Sequence, residues 1–317
     1  MGLVAGRALK RDGRVVGDTA RVIAEPRPPP SESRNSSVAT PTLAVGDGQA
    51  SEVVIPVRDV NPVQRTPWVT YVLIAVNFVV FLLTPAASIT VSGADSVAHT
   101  CQQEAFFDQY AAIPVELVHN QQLPVVADGE VGLGPRGPAC LLTPPSYHKN
   151  PVVSALTSMF LHGGWLHILG NMLFLWIFGN NVEDRFGRLR YLLFYLGCGM
   201  LATYGFAVAN PQSTDALIGA SGAIAGVLGA YLILYPRARV WSLVPFLLFI
   251  PLRLPAWIVL GLWFLLQWVY TAGYAVSQAG SVAYLAHVLG FLAGVVVALV
   301  IRGSEGRRAQ VTPYPYY

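Results

Sequence analysis

The sequence predicts an all-α polytopic membrane protein with six transmembrane helices, and three observations support this class. Hydrophobic residues make up 54% of the chain and charged residues only 12%, about half the charge of an ordinary soluble domain. Several apolar runs approach or exceed the roughly 18 to 20 residues that a helix needs to cross a bilayer. Arginine is concentrated in alternate connecting segments, as it is in the cytoplasmic loops of membrane proteins.

The chain divides into a polar tail, a membrane domain and a short second tail. Residues 1–66 are rich in Pro, Ser, Arg and Gly; this composition cannot bury a core and predicts a disordered cytoplasmic tail. The membrane domain is expected over residues 67–302, with an outer loop at 88–150, and residues 303–317 are expected to be a cytoplasmic tail. Because the net charge of +3 is small and scattered, nucleic acid is not an expected partner. The lipid bilayer is.

Six apolar runs account for the crossings. The stretch from Val152 to Phe178 is too long for one crossing, and His162-Gly163-Gly164 interrupts it, which predicts a short surface helix before the second span. Residues 240–252 are apolar, but their length of thirteen and their two prolines predict an interfacial or buried segment. The expected spans are about 68–83, 165–181, 189–209, 217–235, 255–274 and 283–301.

The arginines orient these spans. With the N-terminus inside, the inner segments carry Arg58 and Arg65, then Arg185, Arg188 and Arg190, then Arg237, Arg239 and Arg253, then Arg302, Arg307 and Arg308. The outer loops after the third and fifth spans contain neither Lys nor Arg. Two lysines against eighteen arginines are typical of a GC-rich bacterial genome. The expected location is therefore a bacterial plasma (inner) membrane, with both termini inside.

Ionisable groups are rare within the predicted spans. Apart from tyrosines, Cys198 and an arginine at one edge, they are His167 and His287. An intramembrane ionisable residue marks a functional site by default, and a histidine satisfied by a neighbouring carbonyl is the alternative. At 1.5 Å per residue, His167, Asn171, Ser221 and His287 fall within roughly 5 to 12 Å of the outer boundary. Three predicted helices thus deliver polar groups to one depth.

Small residues provide a way for two of these helices to meet. Gly222 and Gly226 form a GxxxG pair, and close helix packing is its simplest explanation when the motif is considered alone. Gly290 and Gly294 form a second such pair on the face that carries His287. If the helices approach through these faces, the serine lies against the histidine. Helix packing and an exposed nucleophile are therefore compatible explanations.

The same groups permit serine-protease chemistry. A serine hydroxyl becomes nucleophilic when a base takes its proton, and His287 would be that base for Ser221. Attack on an amide places negative charge on the carbonyl oxygen, which needs donors; Asn171, His167 and the backbone amide of Ser221 offer them. Asp215, the nearest outer carboxylate in sequence, lies in a polar run typical of a solvated turn. The expected catalytic unit is therefore a Ser–His dyad, without metal or cofactor.

Three blocks occur in a specific order: His162-Gly-Gly-Trp-Leu-His167-Ile-Leu-Gly-Asn171, Gly219-Ala-Ser221-Gly222 and Ala286-His287-Val-Leu-Gly290. With them, the sequence from about Ile55 to Ile301 resembles the rhomboid family of intramembrane serine proteases. The resemblance implies cleavage of transmembrane protein substrates near the outer membrane face, with Ser221 as nucleophile and His287 as general base. It implies an oxyanion hole at His167, Asn171 and Ser221, with structural support from His162, Gly219 and Gly222.

The family pattern also implies a mobile fifth helix at 255–274 and an outer cap loop at 272–283, which admit the substrate. One position departs from it. Many members carry an aromatic residue four positions after the serine, stacked beneath the catalytic histidine, and this chain has Ala225 there.

Three other functions compete with a protease. An inactive rhomboid-like binder would not need the complete Ser, His and Asn set. A haem protein would use His167 and His287 as axial ligands, and a proton-coupled transporter would usually carry an intramembrane carboxylate, which the predicted spans lack. A zinc protease is not expected, because the chain has no HExxH motif.

A disulfide is predicted in the outer loop. Cys101 and Cys140 both lie there, in an oxidising compartment for a protein of a bacterial plasma membrane. Two unpaired thiols are the alternative. The oligomeric state stays open.

Overall fold

A computed structural model describes residues 8–11, 14–16, 55–59, 61, 63–88, 94–134, 137–244, 250–274 and 283–311. The α-helices are α1 (Trp68–Leu82), α2 (Ala94–Tyr110), α3 (Pro114–His119), α4 (Pro151–Thr157), α5 (Trp165–Phe186), α6 (Arg188–Ala209), α7 (Ser221–Leu234), α8 (Ala256–Tyr274) and α9 (Tyr284–Val311). The strands are β1 (Ala8–Arg11), β2 (Arg14–Val16), β3 (Ile55–Asp59), β4 (Val126–Gly134), β5 (Gly137–Thr143), β6 (Arg239–Val244) and β7 (Ile250–Pro255). The fold is mostly helical rather than all-α.

Length and apolar composition identify fewer membrane spans than the sequence predicted. Among the described residues, α6 and the Tyr284–Gly303 part of α9 are long and apolar enough to cross a bilayer, and α4 with α5 would make a third if the bent pair is one span. The apolar helices α1, α7 and the Ala256–Ala272 part of α8 are shorter. The 15 residues of α1 extend about 22 Å, less than the roughly 30 Å hydrocarbon core.

The predicted break before α5 is confirmed. Asn150 caps α4 by accepting hydrogen bonds from the backbone N–H groups of Val152 and Val153, and a 3₁₀ turn, Ser158–Phe160, follows. The chain then bends by 82° before α5 begins at Trp165. The short segment before α5 is helical, as expected.

The backbones of α7 and α9 are in direct contact, as the glycine pattern predicted. A Cβ atom at Gly290 would overlap the carbonyl oxygen of Gly222, and one at Gly294 would overlap that of Gly226. A Cβ atom at Gly229 would likewise overlap the carbonyl oxygen of Phe291. At these three positions along the α7–α9 seam, no side chain fits between the two helices.

The expected outer loop, 88–150, contains more structure than its polar sequence indicated. The helices α2 and α3 and the β4–β5 hairpin occupy much of it, and the predicted disulfide joins Cys101 to Cys140. Lys149 Nζ lies 2.7 Å from a carboxylate oxygen of Glu116 and donates to the backbone carbonyl of Asp108. Burial lowers the pKa of Lys149. A disulfide and a buried ion pair therefore order this region, and neither can be read from local composition.

A second sheet closes the opposite end of the molecule. It has the order β3-β6-β7. The described parts of the segment 240–252, which was expected to be interfacial or buried, therefore lie in the antiparallel strands β6 and β7. Asp59, at the end of β3, accepts hydrogen bonds from Tyr231 (2.5 Å) and Asn181 (2.7 Å). The expectation that residues 1–66 form a disordered tail therefore does not hold for β3, because backbone pairing and these buried partners fix it.

The start of α1 is fastened at the same end. The carboxylate of Glu183, on α5, accepts hydrogen bonds from the backbone N–H groups of Val69 and Thr70 and from the hydroxyl of Thr70. A carboxylate at a helix N-terminus is stabilising because it meets unpaired N–H groups and the positive end of the helix dipole.

The strand β1 lies instead with β5, in the segment that was expected to be the outer loop. It pairs with β2, and it runs parallel to β5, with Ala8 opposite Leu141. An edge strand such as β5 offers unpaired backbone groups for this contact. The pairing differs from the expectation that residues 1–66 form one cytoplasmic tail, because β1 and β3 lie at opposite ends of α1.

Candidate active site

Ser221 is the first residue of α7, whereas the expected span 217–235 placed it about one turn inside a helix. The difference arises because Gly219 has a φ of +120°, which a side chain would strain. The segment before the helix is held by backbone bonds from Leu217 N to Ala112 O and from Gly219 N to Ser158 O. Ser221 therefore stands at a helix N-terminus, where the first backbone N–H groups have no intrahelical acceptor.

His287, in the first turn of α9, contacts the serine directly. Its Nε2 atom lies 2.7 Å from the hydroxyl oxygen of Ser221. Its other ring nitrogen, Nδ1, lies 2.7 Å from the side-chain oxygen of Gln267 on α8. Because an amide oxygen only accepts, Nδ1 carries the proton in this arrangement and Nε2 offers its lone pair to the serine hydroxyl. This tautomer is the one that a general base needs.

Gln267 was missed at the sequence level. Ionisable groups in the predicted spans are the primary signal of a functional site, and a glutamine is neutral. Yet Gln267 is the single side-chain amide in α8, and a polar group in an apolar helix would have been a sufficient signal.

Aromatic side chains surround the imidazole from α8 and α9 rather than from α7. The ring centroid of Trp263 lies 6.0 Å from that of His287, at an interplanar angle of 32°, and Tyr284 approaches it edge-on at 6.3 Å. Ala225 is fully buried, and a Cβ atom at Gly290 would lie 3.4 Å from its methyl group. A small residue at 225 thus permits the close approach of α9, and Trp263 supplies the aromatic contact.

His167 lies beside the loop that carries the serine. A Cβ atom at Gly219 would be only 2.9 Å from His167 Nε2, so the missing side chain makes room for the ring. The backbone N–H of Gly163 points to His167 Nδ1 at 3.4 Å. That contact leaves the proton on Nε2, the nitrogen that faces Gly219. His162 is completely buried and packs edge-on against His167, with ring centroids 5.0 Å apart.

Asn171 lies one turn further along α5. Its amide donates a hydrogen bond to the carbonyl oxygen of His167 at 2.9 Å, and the side chain is largely buried. One of its two N–H groups is therefore used within its own helix. The structure brings Ser221, His287 and His167 together, and the Asn171 amide, bonded to the His167 carbonyl, keeps one N–H group to donate.

Asp215 lies apart from these groups. It is exposed, and its backbone N–H bonds to the hydroxyl of Ser213. Within the ranges that the structure describes, no carboxylate hydrogen-bonds to His287, whose partners are a serine and a glutamine.

The family model of the rhomboid domain matches residues 149–304. That range holds α4 to α8, most of α9 and every residue of the site described above. The chain belongs to the rhomboid family.

Several curated rhomboid proteins are similar to this chain. The putative rhomboid protease YdcA of Bacillus subtilis is 38% identical over 77 residues, which are 24% of this chain and 38% of that protein. Rhomboid protein 1, mitochondrial, of Saccharomyces cerevisiae is 29% identical over 50% of this chain and 44% of its own length. The rhomboid protease GluP of Bacillus subtilis is 33% identical over 48% of this chain and 27% of its own. The matches thus span less than half the length of each of these relatives.

Proposed function

We propose that this rhomboid protein is an intramembrane serine endopeptidase that cleaves transmembrane protein substrates through a Ser221–His287 dyad. The observation that carries the proposal is the 2.7 Å contact between His287 Nε2 and the hydroxyl of Ser221. A nucleophile within hydrogen-bond reach of its base is the geometric requirement for covalent catalysis. The names of the bacterial relatives, which include the word protease, support the same activity.

The reaction begins when the Ser221 hydroxyl attacks the substrate carbonyl carbon while its proton passes to His287 Nε2. A C–O bond forms, and the carbonyl electron pair moves onto oxygen. The imidazolium then gives its proton to the departing amine as the C–N bond breaks, which leaves an acyl-serine. Water, deprotonated by the same nitrogen, hydrolyses this ester and restores the hydroxyl.

Stabilisation of the oxyanion is assigned to three groups. The backbone N–H of Ser221 lies at the start of α7, where the helix dipole favours negative charge. His167 Nε2–H is directed toward Gly219 and the serine loop, and the second N–H group of Asn171 completes the set. Preplaced donors of this kind typically supply a large share of catalysis.

The contacts of His287 favour a protease over a haem protein. Both of its ring nitrogens are engaged, one by Ser221 and one by Gln267. Axial ligation of haem iron would need one of them free. An inactive binder would in turn have no use for a base at hydrogen-bond distance from a serine.

Cleavage in proteoliposomes tests the proposal. The wild-type protein, reconstituted with a single-span substrate protein, should cut it near one membrane face. Ser221→Ala and His287→Ala should abolish the cut, and Ser213→Ala, a serine in the preceding loop, should not. Cleavage that persists in Ser221→Ala would refute the proposal, and binding of the substrate without any cut by the wild type would favour the inactive binder.

We also propose six crossings in a bacterial plasma membrane, with both termini inside and the site near the outer face. The arginine distribution supports this orientation. Reporter fusions after Asp215 and Gln278 should report outside, and a fusion after Arg308 should report inside. An outside signal at Arg308 would contradict the topology.

In such a membrane the strands β1 and β3 cannot both keep their partners. They lie at opposite ends of α1, and residues 17–54, which include Pro26-Arg-Pro-Pro-Pro30, have no apolar run long enough to cross between them. We assign β3 to the inserted protein, because Asp59 is tied to α5 and α7. A protease added to right-side-out vesicles should then leave an N-terminal tag uncut. If the protease removes the tag, the pairing of β1 with β5 would be favoured instead.

A further inference from the structure

The catalytic histidine has a polar partner on α8, the helix that covers it. Gln267 Oε1 and His287 Nδ1 are 2.7 Å apart. Trp263 precedes Gln267 by one turn, so both side chains lie on the same face of α8, and the Trp263 ring contacts the same imidazole. Two side chains of α8 therefore hold His287: Trp263 contacts its ring, and Gln267 bonds to Nδ1.

We propose that Gln267 is a positioning residue that holds His287 in the proton-accepting tautomer and so completes a Ser221–His287–Gln267 relay. The proposal rests on the protease function proposed above. A neutral imidazole has two tautomers, and only the one protonated on Nδ1 can take the serine proton. An acceptor fixed opposite Nδ1 selects that tautomer and sets the ring plane.

An amide suits this position better than the carboxylate that a Ser–His–Asp triad would place there. A buried charge in the apolar bundle would be costly, whereas an amide oxygen accepts a hydrogen bond without carrying a charge. The titratable groups around His287 are His167 on α5, Ser221 on α7 and Tyr284 on α9 itself. Among the described residues no carboxylate faces it, so Gln267 is the acceptor that the imidazolium meets when it forms.

The proposal makes the base depend on the position of α8. If α8 shifts away from α9, the bond to Gln267 and the contact with Trp263 are lost together. His287 is then free to turn or to exchange its proton between the two nitrogens. The dyad would be competent only while α8 lies against α9.

Substitutions at Gln267 separate this role from simple packing. Gln267→Met keeps the length of the side chain but removes the acceptor. It should lower kcat and the rate of fluorophosphonate labelling about 10- to 100-fold with KM within about twofold, because a hydrogen bond to a group that becomes charged is lost. Leu265→Met, on an exposed face of the same helix, is the matched control and should leave both rates unchanged.

Gln267→Glu provides the second readout. A carboxylate also accepts from Nδ1, so the rate should recover to within about tenfold of wild type at alkaline pH. It also stabilises the imidazolium, so the acidic limb of the pH–rate profile should move to higher pH. This shift needs only folded Gln267→Glu protein, and it tests the contact even if Gln267→Met does not fold.

Two results would overturn the proposal. One is wild-type rate and pH profile in folded Gln267→Met. The other is a Gln267→Glu variant whose acidic limb stays where the wild-type limb lies. Failure of the protease function itself looks different, because then either the wild type would not cut the substrate or Ser221→Ala would keep the cleavage activity. If Ser221→Ala is inactive while Gln267→Met behaves as wild type, the positioning role of Gln267 is rejected and the proposed protease function stands.

Discussion

Gly290→Ala tests whether the α7–α9 seam sets the catalytic distance. The added Cβ atom would overlap the carbonyl oxygen of Gly222, the residue after Ser221. It would also press on the methyl group of Ala225, 3.4 Å away. Both obstacles are rigid parts of α7, so α9 must move outward.

The size of the effect follows from ordinary contact distances. A carbon and a carbonyl oxygen pack at about 3.3 Å or more, so α9 must retreat by on the order of 1 Å. His287 lies one turn before Gly290 on the same helix and would move with it. In the wild-type structure its Nε2 atom is 2.7 Å from the hydroxyl of Ser221, and this distance would increase. Misplacement by about 1 Å costs roughly 10²-fold in rate, and overpacking costs about 1 to 3 kcal/mol in stability.

Labelling by a fluorophosphonate probe in detergent, together with thermal unfolding, measures both quantities. Gly197→Ala is the matched control, since a Cβ atom there meets nothing within 4 Å, and it should behave as wild type. Gly294→Ala, two turns from His287, should lose similar stability with a smaller loss of rate. If Gly290→Ala labels and unfolds like wild type, the seam does not set the distance between base and nucleophile.

Three further predictions concern the proposed oxyanion donors and the expected outer loop. His167→Ala and Asn171→Ala should slow cleavage by up to about 10²- to 10³-fold while leaving the serine reactive toward a probe. Asn171→Ala should be the milder variant, because half of its donor capacity is spent within α5, and cleavage rates within twofold of wild type for both would remove them from the mechanism. Cys140→Ser opens a loop of 39 residues and should cost about 4 kcal/mol by the chain-entropy relation; an unfolding midpoint equal to that of the oxidised wild type would contradict this. Burial lowers the pKa of Lys149, so the unfolded chain binds more protons as the pH nears the ordinary lysine value of about 10.4. Relative to Lys149→Met, wild-type stability should therefore rise with pH in that alkaline window, and parallel unfolding curves would refute the reasoning.

The sequence was sufficient to find Ser221, His287 and His167, which meet at the site, but not Gln267, which contacts His287 there. Polar groups are scarce in apolar helices, so the serine and the two histidines stood out, and two GxxxG pairs indicated which helix faces touch. The break before α5 followed from a glycine pair, and the disulfide followed from two cysteines in one outer loop. Each of these inferences depends on a local pattern or on a simple constraint of the membrane.

Features that depend on distant partners could not be predicted. The strand β6 pairs with β7 and also with β3, which lies far away in the chain, and nothing within 240–252 indicates that second partner. The order in the segment 88–150 depends partly on the ion pair between Lys149 and Glu116, which are far apart in the sequence. The helix start at Ser221 depends on the backbone of Gly219, which periodicity does not reveal.

The most direct test of the dyad is fluorophosphonate labelling of the protein in membranes, with the labelled peptide identified by mass spectrometry. The probe should attach to Ser221 in wild type and in Asp215→Asn at equal rates. It should fail on Ser221→Ala and be strongly slowed on His287→Ala. Loss of labelling in folded Asp215→Asn would show that a carboxylate is needed, and a wild-type rate in His287→Ala would show that the base lies elsewhere.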